Sequence, residues 1–141
     1  MLKFALVESP FAKGKIKVYH LVIDNVDQFE AFEDSIEDKY ISQFISITSS
    51  ITQLSEYFKP LPHGKRRKLK GKGLENTGEF RSRDLRLYYL VLKESGYIIC
   101  LGGGKKSQPK DLKRLKSLKK EILNQVSQHG QIEIIEKKKA D

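Results

Sequence analysis

Eight unbroken residues, Leu85-Arg86-Leu87-Tyr88-Tyr89-Leu90-Val91-Leu92, constrain this chain more than any other stretch. Leu85, Leu87, Tyr89 and Val91 alternate with Arg86, Tyr88, Leu90 and Leu92, so a strand here is apolar on both faces. Such a strand belongs in the interior of a sheet. Lys93-Glu94-Ser95-Gly96 supplies a turn, and Tyr97-Ile98-Ile99-Cys100-Leu101 pairs back as the next strand. Arg86 and Tyr88 are the polar interruptions, on one face only.

The remaining segments read as support for that hairpin. Residues 2–7 form a short first strand or an extension, closed by Ser9-Pro10. Residues 16–23 alternate and are β-branched, a strand. Asn25 or Asp27 then caps a helix whose Phe29, Phe32, Ile36 and Tyr40 share one face. A second helix carries Phe44, Ile47, Ile51, Leu54 and Phe58 at the same spacing, and its Ser, Thr and Ile content makes it dependent on packing. Lys59-Pro60-Leu61-Pro62 stops it, a basic loop follows, and Gly78-Glu79-Phe80-Arg81 starts a strand. The glycines at 102–104 read as a turn. Pro109 suits the first turn of a last helix, capped by Ser107 or Gln108, with Leu112, Leu115, Leu118, Ile122 and Val126 as its buried stripe. Gly130 ends it, and residues 131–136 offer a late strand.

The expectation is one α+β domain over 1–141. A strand and a helical hairpin pack on one side of a mainly antiparallel sheet of three to four strands, with a basic C-terminal helix. The core spans about 16–127, with an extension at 1–15 and a tail at 130–141.

Charge is segregated along this framework. Residues 1–58 hold 5 Lys/Arg against 9 Asp/Glu, whereas residues 59–120 hold 19 against 5, a local balance of +14. Cationic side chains at intervals along strands and a helix start attract phosphate backbones through counterion release. Lys65, Arg66, Arg67, Lys68, Lys70, Arg83, Lys110 and Lys113 are therefore the candidate RNA contacts, with Tyr88 on the strand face of Arg86 as a further one. The single cysteine, Cys100, excludes an internal disulfide framework, and no apolar segment reaches membrane-spanning length. The reading is a cytoplasmic protein without membrane contact. Three scattered histidines and one cysteine give no metal site, and no cofactor is expected. Neither Gly71-Lys72-Gly73 nor Gly104-Lys105-Lys106 has the spacing and Ser/Thr of a nucleotide phosphate loop.

From Leu61 to Ile122 the chain resembles the RelE/HigB family of bacterial toxins, above all its phage-derived killer-protein branch. Leu61-Pro62-His63-Gly64 resembles the turn after the family's helical hairpin, and Lys68-Leu69-Lys70-Gly71 its K-L-x-G step. Gly78-Glu79-Phe80-Arg81 and Leu85-Arg86-Leu87-Tyr88-Tyr89 are similar to its two arginine-bearing strands. Residues 102–112 resemble its G-G-x-K-x-x-Q-x-x-D-I signature, and all five pieces stand in the family's order.

The resemblance implies a ribosome-dependent messenger-RNA endoribonuclease that inhibits translation, partnered by a cognate antitoxin protein and acting on messages on the ribosome. By position, Arg81 and Arg86 match the arginines that hold the scissile phosphate, Lys105 and Lys106 the basic pair after the last strand, and Lys68 and Lys70 the basic loop. In-line attack by a 2′-hydroxyl builds charge on the non-bridging oxygens, which a planar guanidinium bridges. A base and an acid are also needed. Family members offer a Tyr or His near the last helix, and this helix has neither from Pro109 to Gln128. Glu79 as base, Tyr88 as a phenol, or a lysine among cationic neighbours are the alternatives, with Glu79 equally a structural partner of Arg81 or Arg83. Two other readings stay open: a non-catalytic RNA-binding module of the same fold, and a gyrase-inhibiting relative.

Overall fold

The computed structural model describes residues 2–57, 64–93 and 95–136. Within them, seven strands form one mixed sheet in the order β1-β2-β7-β6-β5-β4, with β3 paired to β2. The strands are β1 (Phe4–Glu8), β2 (Val18–Ile23), β3 (Val26–Asp27), β4 (Arg66–Lys68), β5 (Thr77–Arg81), β6 (Leu85–Leu92) and β7 (Gly96–Gly104). The helices are α1 (Gln28–Ser35), α2 (Ile41–Tyr57) and α3 (Gln108–His129). The α+β class holds, while the expected three to four strands become seven.

Each added strand has a physical origin. The stretch at 1–15 supplies β1, antiparallel to β2 along its whole length, because Phe4 to Val7 are apolar and buried on both faces. Asp24 and Asn25 both adopt positive φ, 48° and 70°, forming a tight turn that folds β3 back on β2. The stretch read as a basic loop contains β4, whose Arg66, Arg67 and Lys68 pair with Phe80, Glu79 and Gly78 of β5. β2 joins β7 in parallel, the exception to the antiparallel pattern.

Helices cover both faces rather than one. α1 and α2 place Phe29, Phe32, Phe44, Ile47, Ile51 and Leu54 against Phe80, Leu85, Leu87, Tyr89 and Ile99. α3 places Leu115, Leu118 and Ile122 against Tyr88, Leu90, Ile98 and Cys100 on the opposite face. β6 alternates between the two cores, as its doubly apolar pattern requires.

Other boundaries moved for local reasons. The helix expected through Tyr40 ends at Ser35, with Ile36 extended and residues 38–40 forming a single 3-10 turn. Glu30, Glu33, Asp34, Glu37 and Asp38 repel at three- and four-residue spacing and oppose the negative end of the helix dipole. Asp27 caps α1, its Oδ1 accepting from the backbone N–H groups of Phe29 and Glu30. The glycines at 102–104 continue β7 instead of turning. A Cβ on Gly102 would strike the Phe32 ring, and one on Gly103 the Asp111 carboxylate, so these glycines let α1 and the start of α3 approach the sheet. Residues 131–136 form no strand; Ile134 makes one bridge to Leu6, while Ile132 enters the α3 core. The Leu61-Pro62-His63 step and Phe58 lie outside the described residues.

His20 on β2 is buried, with Nε2 2.9 Å from Ser9 Oγ and Nδ1 3.2 Å from Asp27 Oδ2. Its ring stacks on Phe29 at 4.4 Å. These are the residue types of a hydrolytic triad, but Ser9 is only 3% exposed, so the group ties the chain after β1 to the α1 cap. Replacing His20 by Ala leaves a cavity and unpaired polar groups, an expected loss of about 2–4 kcal/mol by urea denaturation.

Cys100 lies within β7, and burial pushes its thiol up to about 12. An unfolded thiol ionises near about 8.5. The contribution of the neutral buried thiol to stability is thus full below that pH and is lost as pH rises toward 12. Maleimide labelling at pH 8 is expected to follow unfolding and to be negligible in native buffer.

Candidate nucleic-acid interface

The basic side chains are distributed by strand parity. On the α3 face, Arg67 of β4 lies opposite Glu79 of β5, and Glu79 opposite Tyr88 of β6. The next pair on this face is Arg81 with Arg86. Glu79 is wholly buried and collects three guanidiniums: Arg67 Nη2 at 3.2 Å, Arg86 Nε at 3.1 Å and Arg81 Nε at 3.9 Å. The Gln108 amide at the start of α3 donates to the same carboxylate at 3.1 Å. Arg86 meets Glu79 as a close ion pair whose angle does not make a hydrogen bond, since Nε and Oε2 have no aligned partner.

Arg86 is 3% exposed, and its Nη1 donates to the backbone oxygens of Ser82 and Leu85. Burial, and next the charge of Arg81, lower its proton affinity, with Glu79 opposing. Tyr88 is buried, and its hydroxyl lies by the Gln108 amide without an aligned hydrogen bond to any described residue. Burial, then the Glu79 charge, push this phenol well above its usual value. It stays a neutral phenol at physiological pH, and the upward shift makes it a poor proton donor. Glu79, sealed among arginines, organises cations rather than meeting solvent.

Two open cavities flank this carboxylate. One, of about 450 Å3, gathers Lys65, Arg81, Arg83, Arg86 and Lys105 with Gly64, Ser82 and the α2 residues Ser42, Gln43 and Ser46. Five cations thus meet in one cleft: Lys65 just before β4, Arg81 at the end of β5, Arg83 in the β5–β6 turn, Arg86 in β6 and Lys105 just after β7. The other, of about 730 Å3, lies between β4 and α3, bordered by Arg67, Lys68, Lys70 and Gln108 with Leu69, Leu74 and Leu112. Arg66, one residue out of phase with Arg67, sends its guanidinium to Tyr89 and Tyr97 on the opposite face and lines the groove only as part of β4. Lys106, Lys110 and Lys113 are exposed on the turn before α3 and on α3 itself, and line neither cavity.

Sequence reading missed Gln43. Its Oε1 accepts from Ser82 Oγ at 2.9 Å and the Asp84 backbone N–H at 2.6 Å, and its Nε2 donates to Asp84 Oδ2 at 2.9 Å. The Asp84 carbonyl in turn accepts from the Lys105 N–H at 2.8 Å. One amide therefore clamps the β5–β6 turn, which carries Arg83, is flanked by Arg81 and Arg86, and holds the Lys105 backbone. The available signal was the polar run Ser42, Gln43 and Ser46 beside the apolar stripe of α2. Gln43→Ala is expected to cost about 1–2 kcal/mol and to weaken oligonucleotide binding, measured by denaturation and fluorescence anisotropy on the same sample.

Ser107 occupies the position before α3 but bonds the Asp111 carboxylate at 2.6 Å and the Gly104 carbonyl at 3.1 Å rather than capping the helix. Among the described residues no cluster of three His, Cys, Asp or Glu is placed to hold a metal ion. No described helix is long and apolar enough to cross a membrane.

No protein-family model matches the sequence, and no curated protein matches it either. Among solved structures, the solution structure of the conserved hypothetical protein HP0894 from Helicobacter pylori is similar at 20% identity, covering 55% of this chain and 81% of that chain with a TM-score of 0.34.

Proposed function

We infer that this protein grips RNA by its phosphate backbone in the cleft of Lys65, Arg81, Arg83, Arg86 and Lys105, and that it acts there as an endoribonuclease on messages being translated. The observation that carries the grip is the convergence of five cations from separate elements on one cleft. Surface lysines dispersed for solubility have no reason to meet in this way. The cutting rests on the resemblance to the RelE/HigB toxins, as does the expectation of an antitoxin partner that masks the cleft.

In this reading Arg81, 25% exposed and held only loosely by Glu79, meets the non-bridging oxygens as charge builds during in-line attack. Arg86 is the fixed member, holding the turn and the local positive field. Proton transfers fall to water and to the lysine ammonium groups on the open side of the cleft, since Glu79 and Tyr88 are sealed.

That sealing also favours a second reading, a protein that holds RNA without cutting it. Inducible expression of wild type beside Arg81→Ala/Lys105→Ala, with message ends mapped on translated and untranslated transcripts, decides between them. New ends on translated messages alone, lost in the double variant, support cleavage. Intact messages with salt-sensitive RNA binding leave the grip without the cut. A folded protein that binds no RNA removes both.

A further inference from the structure

We propose that the groove between β4 and α3 is a nucleoside subsite, taking the base next to the phosphate held in the neighbouring cleft; this rests on the RNA reading above. The two cavities are linked through Glu79. Arg67 and Gln108 border the groove and bind Glu79 Oε1, while Arg81 and Arg86 border the cleft and face Glu79 Oε2. A strand of RNA crossing from one to the other leaves Arg81 on the cleft side and meets Arg67 on the groove side.

The groove has a different composition from the cleft. Leu69, Leu74 and Leu112 give it an apolar lining, which a phosphate has no use for and a base does. Arg67 is fixed by Glu79 yet 37% exposed, so its guanidinium plane is pre-set and open for stacking. Gln108 supplies an amide at the same border, a donor and acceptor for a base edge. Lys68 and Lys70 on the outer rim suit the next phosphate.

The test uses the full chain with two labelled probes, an adenosine ribo-pentamer and an abasic ribose-phosphate pentamer of equal charge. Wild type is expected to bind the base-bearing probe about tenfold more tightly. Leu112→Ala should reduce that preference to about twofold or less, and Leu112→Met should keep it, with one salt dependence throughout. Equal binding of both probes by wild type, still weakened by Arg81→Ala, overturns the subsite and leaves the phosphate grip standing. A base preference unmoved in Leu112→Ala places the base elsewhere and also overturns it. Binding of neither probe removes grip and subsite together. Shifts of the Leu112 methyl resonances with an acidic leucine-containing peptide, but not with the pentamers, would assign the groove to a protein partner instead.

Discussion

Replacing Glu79 by Ala is expected to lower the stability of this protein by about 3–5 kcal/mol, one of the largest effects of any single substitution outside the apolar core. The carboxylate is wholly buried and is the shared counter-charge of Arg67, Arg81 and Arg86. Without it, Arg86 stays buried beside two other guanidiniums with nothing to offset them. Glu79→Gln keeps the shape and one acceptor but removes the charge, so its loss should be smaller and still clear. Urea denaturation at constant slope measures both. Millimolar phosphate should recover part of the Glu79→Ala loss, because an anion in the cleft replaces the missing charge. A loss under about 1 kcal/mol would show that the arginines find solvent and that Glu79 is not their anchor.

The second large effect separates two arginines that look alike in sequence. Arg81→Ala should leave stability nearly unchanged, within about 0.5 kcal/mol, while weakening oligoribonucleotide binding. Among the described residues its side chain makes one ion pair, with Glu79 at 3.9 Å, and it is 25% exposed. The salt dependence of binding should fall by about 0.7 in slope for one lost single-strand phosphate contact. Arg86→Ala should instead lose about 3–5 kcal/mol, because its guanidinium satisfies the Ser82 and Leu85 carbonyls and faces Glu79. Arg86→Lys is not expected to rescue it, since an ammonium cannot reach two carbonyls and a carboxylate in a planar fork. Similar stability losses in both alanine variants would mean that Arg81 is also structural, and the phosphate contact would then have to come from Lys65, Arg83 or Lys105.

Much of the fold was legible because periodicity reports burial directly. The apolar stripes of α2 and α3 and the doubly apolar β6 each lie in the core their spacing predicts. Topology was not legible in the same way. The two-residue β3 and the three-residue β4 are too short for alternation to stand out, and residues 2–7 read equally as strand or extension until pairing with β2 decided for the strand. The placement of α3 opposite α1 and α2 depends on which face each strand offers, a property of pairing rather than of any one segment.

The candidate site divides along the same line. By itself the sequence determined that positive charge concentrates in 59–120 and that Arg81 and Arg86 stand in strands, since both follow from composition and alternation. Only the tertiary structure decided which cations act together. A one-residue change of parity sends Arg66 to the tyrosines and Arg67 to Glu79. Residues 12 to 41 positions apart meet at one carboxylate and one amide. The reason is physical: periodicity encodes whether a side chain is buried, whereas the identity of its partner is set by register and by which helix lands on which face.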